Sequence, residues 1–364
     1  MKKLFAIVVA ALMTLLVAAE AQAANESVTA KTPVSPVKGS FYQSYPRPAN
    51  LTIRADVTIP DSQALILPMK NTKITFPSTI SFNPKKSMPA CTDDKLNTQS
   101  PLGTPTAVLE ACKDSVVGTG TSTIYLFKQK AHPLADPILI IFSAGRSASG
   151  NAKVKIYGFS KGTGVGILMT GELKNHVLDV AIPVLSYDSA VQYYQFDLPG
   201  KELDRPDIGI AAKGLDPSYV QATCPASGKL TTNADFILGE RDASTGEDTG
   251  PETTVSSPPE TQNCTGLKGK AILKASIKGP KAVKNGKKGT FKLTIKNNGT
   301  AVAKGVRVSA PGGKSGKVTI AAKASKTVKV KAKVSGKKGR KATVKFTIKG
   351  SGVSAKATAK VKVK

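Results

Sequence analysis

Along the last hundred residues the chain alternates apolar and polar positions with little interruption. In Phe291-Lys292-Leu293-Thr294-Ile295-Lys296 the odd positions are apolar and the even ones polar. Val328, Val330, Ala332 and Val334 alternate with Lys329, Lys331 and Lys333, and Ala342, Val344, Phe346 and Ile348 alternate with Thr343, Lys345, Thr347 and Lys349. The final run sets Val353, Ala355, Ala357, Ala359, Val361 and Val363 against Ser354, Lys356, Thr358, Lys360, Lys362 and Lys364. A period of two sustained this far means strands with one buried and one wet face. Turn signals at Asn297-Asn298-Gly299, Pro311-Gly312-Gly313 and Gly336-Lys337-Lys338-Gly339 separate them. The pattern predicts about seven strands, near 270–278, 289–297, 302–309, 316–321, 326–334, 341–349 and 353–363, the sequence description of an immunoglobulin-like sandwich.

Upstream the pattern is also β. Leu51 to Ile59 alternates cleanly, and Ser122–Phe127, Pro137–Phe142, Ala152–Tyr157, Val177–Val184 and Val191–Leu198 are further candidate strands. Only Asp93–Asn97 and Thr106–Cys112 read as short helices, the second entered through Thr104-Pro105, a cap followed by a first-turn proline. The fold class expected is all-β, with two β-sandwich domains. A sandwich of about ten strands spans 24–238 and the Ig-like domain spans 265–364. Between them, 239–264 is rich in Asp, Glu, Ser, Thr and Pro and reads as an acidic flexible linker, able to shield a basic neighbour.

Charge changes the picture most. Residues 265–364 hold 29 Lys and Arg and no Asp or Glu, whereas the first 264 residues hold 24 charges of each sign. Alternation puts the lysines on the outward faces of both sheets, where like charges side by side destabilise a sheet. The candidate polyanion-binding residues are Lys292, Lys296, Lys329, Lys331, Lys333, Lys345, Lys349, Lys356, Lys360 and Lys362. The partner class they suggest is an anionic cell-wall polymer or acidic polysaccharide. The competing reading is a solvated face that keeps the domain soluble and guards its edges. Lysine dominates over arginine and aromatics are nearly absent, so nucleic acid would bind only non-specifically. Phe291 and Phe346 fall on the apolar face and read as core.

The segment Phe291 to Ser309, FKLTIKNNGTAVAKGVRVS, resembles the cell-adhesion-related bacterial domain CARDB and related surface-repeat Ig-like domains. In these a strand ends in an Asn-Gly turn and the next begins with Ala and Val. The resemblance covers most of 268–364 and implies an extracellular spacer or adhesion module without catalytic residues. The upstream part is similar to uncharacterised secreted bacterial proteins, on Pro89-Ala90-Cys91, Cys112 and Val117-Gly118-Thr119-Gly120. That likeness implies export and fold, and no activity.

The N-terminus has the parts of a secretory signal peptide over 1–23: Lys2 and Lys3, an apolar run from Leu4 to Ala19, and Ala21-Gln22-Ala23 as cleavage site. Release or non-covalent surface retention is expected, without membrane insertion after cleavage. Four cysteines in an exported chain suggest two disulfides. Sequence neighbourhood favours Cys91–Cys112 and Cys224–Cys264 among three possible connectivities. A metal site is the weaker reading, since there is no C-x-x-C and only His132 and His176 are present. No cofactor is expected, and Asp93/Asp94 or Asp204/Asp207 read as turn and capping residues rather than calcium ligands.

Gly158-Phe159-Ser160-Lys161-Gly162 matches the nucleophile-elbow pattern G-x-S-x-G. The strand–helix context is missing, and His176 follows too soon for the usual order of Ser, acid and His. A secreted serine hydrolase using Ser160 is therefore the minor alternative, with Gly158 and Gly162 read as turn glycines. The main expectation is an exported, non-enzymatic, surface-associated protein held on polyanions by its basic module. A spacer without a ligand is the third reading.

Overall fold

A computed structural model describes residues 25–96, 104–183, 189–200, 203–206, 210–212, 216–242 and 244–364. The segment 1–23 expected to be a signal peptide, Asn97, Val184 and Asp207 lie outside them. The first domain is built from β1 (Ser27–Lys31), β2 (Arg47–Thr58), β3 (Met69–Thr75), β4 (Val116–Tyr125), β5 (Ile138–Arg146), β6 (Ala152–Ser160), β7 (Val165–Lys174), β8 (Val177–Ala181), β9 (Ala190–Leu198), β10 (Lys229–Arg241), β11 (Asp248–Ser256) and β12 (Glu260–Asn263). Its strands pair antiparallel in the order β11-β10-β3-β8-β7-β6-β5-β4-β9-β2, with β1 on β2 and β12 on β10. This one long sheet folds over to form both layers of a sandwich.

Side chains seal the seam where the sheet meets itself. Ala30 N donates to Ser257 Oγ at 2.9 Å, and Gln262 bonds both the N–H and the C=O of Val34 at 2.7 Å. Across the interior, Tyr194 Oη on β9 reaches Thr72 Oγ1 on β3 at 3.4 Å. Strand β2 shows why such segments become strands. Ala49, Leu51, Ile53 and Ala55 are buried and alternate with Asn50, Thr52 and Arg54 toward solvent. In β4, a Cβ on Gly120 would stand 2.0 Å from Gln195 O, so the close pairing with β9 requires glycine there.

Strand β5 departs from alternation for a physical reason. Leu139 and Ile141 face the inner core, while Ile138, Ile140 and Phe142 face a second cluster with Leu96, Val108 and Leu109. Those residues belong to α1 (Asp93–Leu96) and α2 (Pro105–Cys112), which cover the outer face, so β5 reads as a continuous apolar run. The disulfide Cys91–Cys112 ties this helical cover down, and Cys224–Cys264 ties the end of β12 to the domain. Thr104 precedes α2 as expected, but its side chain makes no capping hydrogen bond.

Residues 239–264, expected to be a flexible acidic linker, instead form the end of β10 and strands β11 and β12, both paired to β10. Thr253 and Val255 alternate inward among exposed neighbours, and the Pro- and acid-rich composition hides that short period. Three of its acids face cations of the first domain. Glu240 pairs with Lys128 at 2.6 Å, and Asp248 and Glu252 approach buried Lys70 at 3.1 and 3.6 Å.

The second domain has its own core. Strands β13 (Leu273–Lys278), β14 (Lys288–Asn297) and β17 (Ser325–Lys333) form one sheet. β15 (Ala303–Ala310), β16 (Val318–Ile320), β18 (Lys341–Gly350) and β19 (Val353–Val363), with two short edge pieces, form the other. The seven strands match the sequence pattern closely. Phe291 and Phe346 meet between the sheets with ring centroids 5.0 Å apart, as expected of core residues.

Buried Asn297 organises the end of β14. Its Nδ2 donates to Ala301 O at 2.8 Å, with longer bonds to Ile320 O and Ala321 O. Its Oδ1 accepts from Ile272 N at 3.1 Å and Gly299 N at 3.0 Å.

Candidate polyanion-binding face

Alternation along β13, β14 and β17 sends every second side chain to the outer face of the three-stranded sheet, and strand register decides what stands beside it. Lys278, Lys292 and Lys329 form one row across the three strands, since Lys292 lies opposite both others. Lys274 pairs with Lys296, Lys288 with Lys333, and Lys331 with Thr290. Eight lysines thus share one face, and neighbouring strands about 4.8 Å apart hold lysine directly against lysine. No acid exists in the domain to offset them.

The other sheet carries as many cations in a different arrangement. Lys345 faces Thr358, Lys356 faces Thr347, Lys360 faces Thr343 and the outer-face Lys349 faces Ser354. Only Lys341–Lys362 and Arg307–Lys349 set cation against cation. Hydroxyls therefore separate most charges here, and the face has the character of a solvated surface. The ten candidate lysines divide accordingly. Lys292, Lys296, Lys329, Lys331 and Lys333 lie together on the three-stranded sheet. Lys345, Lys349, Lys356, Lys360 and Lys362 lie on the other sheet. Sequence reasoning missed Lys274, Lys278 and Lys288 as members of the first group, although their strand parity marked them.

Ser160 occupies a tight hairpin between β6 and β7 and is fully buried. Its Oγ donates to Asp136 Oδ1 at 2.8 Å and accepts from Thr163 N at 3.2 Å. Asp136 Oδ2 also accepts from Gly162 N at 2.6 Å, so the pair organises a turn. His132 packs edge-on against Phe127, and His176 lies in the connection from β7 to β8. Gly162 is a turn glycine as expected. Gly158 is not: it sits within β6, opposite Leu139 and Ile167, because the strand runs on to Ser160.

Asp93 starts α1 and is ion-paired to buried Lys155, whose hydrogen bond and charge hold its carboxyl below the usual range. Tyr193 and Tyr194 point to opposite faces. Tyr193 receives the Arg54 guanidinium at 4.8 Å, and Tyr194 is buried, which pushes its phenol well above the ordinary value. Among the described residues no group of three His, Cys, Asp or Glu side chains is placed to hold a metal.

No family model matches the chain, and no curated protein matches it. Among solved structures it is similar to the T6 backbone pilin of serotype M6 Streptococcus pyogenes, described as a modular three-domain structure decorated with variable loops and extensions. Identity is 9% and the TM-score 0.24 over 93% of this chain, which spans about half (52%) of that pilin chain. At this level the likeness carries no argument about function. The all-β class rests on the strands and their pairing.

Proposed function

We propose that the protein is an exported, surface-associated, non-enzymatic β-protein, and that the outer face of its three-stranded sheet holds it on an anionic polymer. The reading is supported chiefly by the register of that face: eight lysines, with Lys–Lys pairs across strands and no acid in the domain. Such an arrangement costs folding energy that a bound polyanion would relieve, and its field concentrates counter-ions before contact. Affinity then comes from several ammonium groups acting together. Little base or sugar discrimination is expected, because lysine is a point charge without planar recognition geometry. The partner class is a wall polymer bearing phosphates or an acidic polysaccharide. The lysines of the other sheet serve solubility and edge protection, a role favoured by their alternation with Thr and Ser.

The test is binding of the full chain to immobilised purified wall polymer, comparing two triple variants. Replacing Lys278, Lys292 and Lys329 with Gln should reduce affinity by at least tenfold. Replacing Lys345, Lys356 and Lys360 should have little effect. Equal losses from both would reduce the interaction to net charge and remove the assigned face.

A further inference from the structure

Strand β19 lies at one side of its sheet, and only part of its outer edge is paired. On the inner side it runs antiparallel to β18, from Val353 opposite Gly350 to Lys362 opposite Lys341, without a bulge. Successive residues of a strand turn their N–H and C=O groups to opposite sides, so every second residue points outward. Lys362 N donates to Lys281 O at 3.2 Å and Lys364 N to Val283 O at 2.9 Å, which makes the even-numbered residues the outward ones. The short piece Ala282–Val283 covers the edge only opposite Lys362 and Val363. Among the described residues, the outward N–H and C=O groups of Ser354, Lys356, Thr358 and Lys360 have no backbone partner. An edge of this kind is a template for another strand.

Side chains decide which strand the edge can take. On the outer face Lys356 and Lys360 are exposed, with exposed Lys345 and Lys349 on β18 behind them. On the inner face Ala355, Ala357 and Ala359 are only half-buried, as are Ala275 and Ile277 of β13, which pack on the same core. These small side chains leave apolar surface that the side chains of an added strand would cover. A second copy of this domain is disfavoured, because it would bring lysine against lysine with no acid to offset them. The same lysines that guard the edge against a like strand would pair with carboxylates on an unlike one.

We propose that the outer edge of β19 accepts an extended segment of another protein in which acidic and apolar residues alternate. The outward backbone groups of Ser354, Lys356, Thr358 and Lys360 supply the hydrogen bonds of strand addition. Lys356 and Lys360 face the acids, and the alanine row receives the apolar side chains. The edge belongs to the sheet opposite the polyanion-binding face and is independent of it.

The test uses the full chain and a capped peptide of alternating Glu and Val, as long as 353–360. In the free chain, amide hydrogen exchange should be fast at Ser354, Lys356, Thr358 and Lys360 and slow at Ala355, Ala357 and Ala359. Saturating peptide should protect the first four. Two control peptides carry the same charge, one with its Glu residues in a single block and one N-methylated at the amides that would face β19. Both should bind at least tenfold more weakly than the parent. Thr358→Pro removes one outward donor, a change that edge strands tolerate, and should weaken the parent peptide about tenfold. Absence of binding by the parent peptide, or an N-methylated peptide that binds as well, would overturn the proposal. So would slow exchange at the four outward amides of the free chain together with dimeric sedimentation, which would give the edge to a second copy. If Thr358→Pro fails to fold, as thermal unfolding will show, the peptide comparison decides.

Discussion

Replacing Lys292 with Glu should stabilise the second domain while weakening the hold on polyanions proposed for it. Lys292 stands on the central strand of the three-stranded sheet with Lys278 opposite on one side and Lys329 on the other. Two unit charges about 6 Å apart in water interact by about 0.7 kcal/mol, and screening at physiological salt reduces this by roughly half. Cross-strand pairs measured in sheets fall in the same range, about 0.2–1 kcal/mol each. The substitution turns two repulsions into two attractions, a gain of about 1–2 kcal/mol. For a domain of this size each kcal/mol shifts Tm by about 4–8 °C. Lys360→Glu is the internal control, because Lys360 lies opposite Thr343 and has no lysine directly across from it. Its gain should be less than half as large. Calorimetry of the full chain, with amide exchange across 288–297 to localise the effect, measures both. A neutral or destabilising Lys292→Glu, or equal effects from the two substitutions, would refute the reasoning from register.

Other outcomes follow from single contacts. Asn297→Ala removes five hydrogen bonds from a fully buried side chain and leaves backbone donors and acceptors orphaned, so denaturant unfolding should show a loss of about 3 kcal/mol or more. Converting Cys91 and Cys112 to Ala opens a loop of 21 residues and should cost about 3 kcal/mol, and the 40-residue Cys224–Cys264 loop about 4 kcal/mol, each read from urea midpoints. Ser160→Ala should lower stability by about 1–3 kcal/mol, because Asp136 loses a buried donor, and should change no ester hydrolysis measured with a chromogenic substrate. Hydrogen bonds from Ser244 and Thr245 hold the Asp242 carboxyl down at about 2. Because that value is depressed, the stabilisation is present above the ordinary carboxylate range and is lost as pH falls from about 4 to 2. An NMR titration of the Asp242 side chain with a midpoint near 4 would contradict this.

The second domain was legible because one physical rule dominates it. Each strand has a single buried face and the turns carry glycine, so Val353–Val363 and Lys341–Gly350 can be read almost to the residue. In the first domain strands such as β5 are buried on both faces, and the period-two signal fades. Val165–Lys174 shows this, its apolar Ile167, Leu168 and Met169 standing in sequence without alternation. Asp248–Ser256 was hidden by composition, since its order comes from pairing with Phe236–Leu238 rather than from its own apolar residues. The candidate site was legible in its parts and not in its grouping. Strand parity sends the lysines outward, but only register reveals that one face sets Lys against Lys and the other Lys against Thr. Gly158 gave no strand signal, because its place in a cheap G-x-S-x-G match concealed its position in a strand.

The most direct measurement is the affinity of the full chain for purified anionic wall polymer, titrated from about 50 to 300 mM salt, a range that spans weak to strong screening. If about six phosphates are engaged along a single polymer chain, the log–log slope should be near −4 and affinity should fall about 10³-fold across the range. Absence of binding at the lowest salt, or binding that salt does not weaken, would contradict an electrostatic anchor and leave the lysines as a solubility device on a spacer.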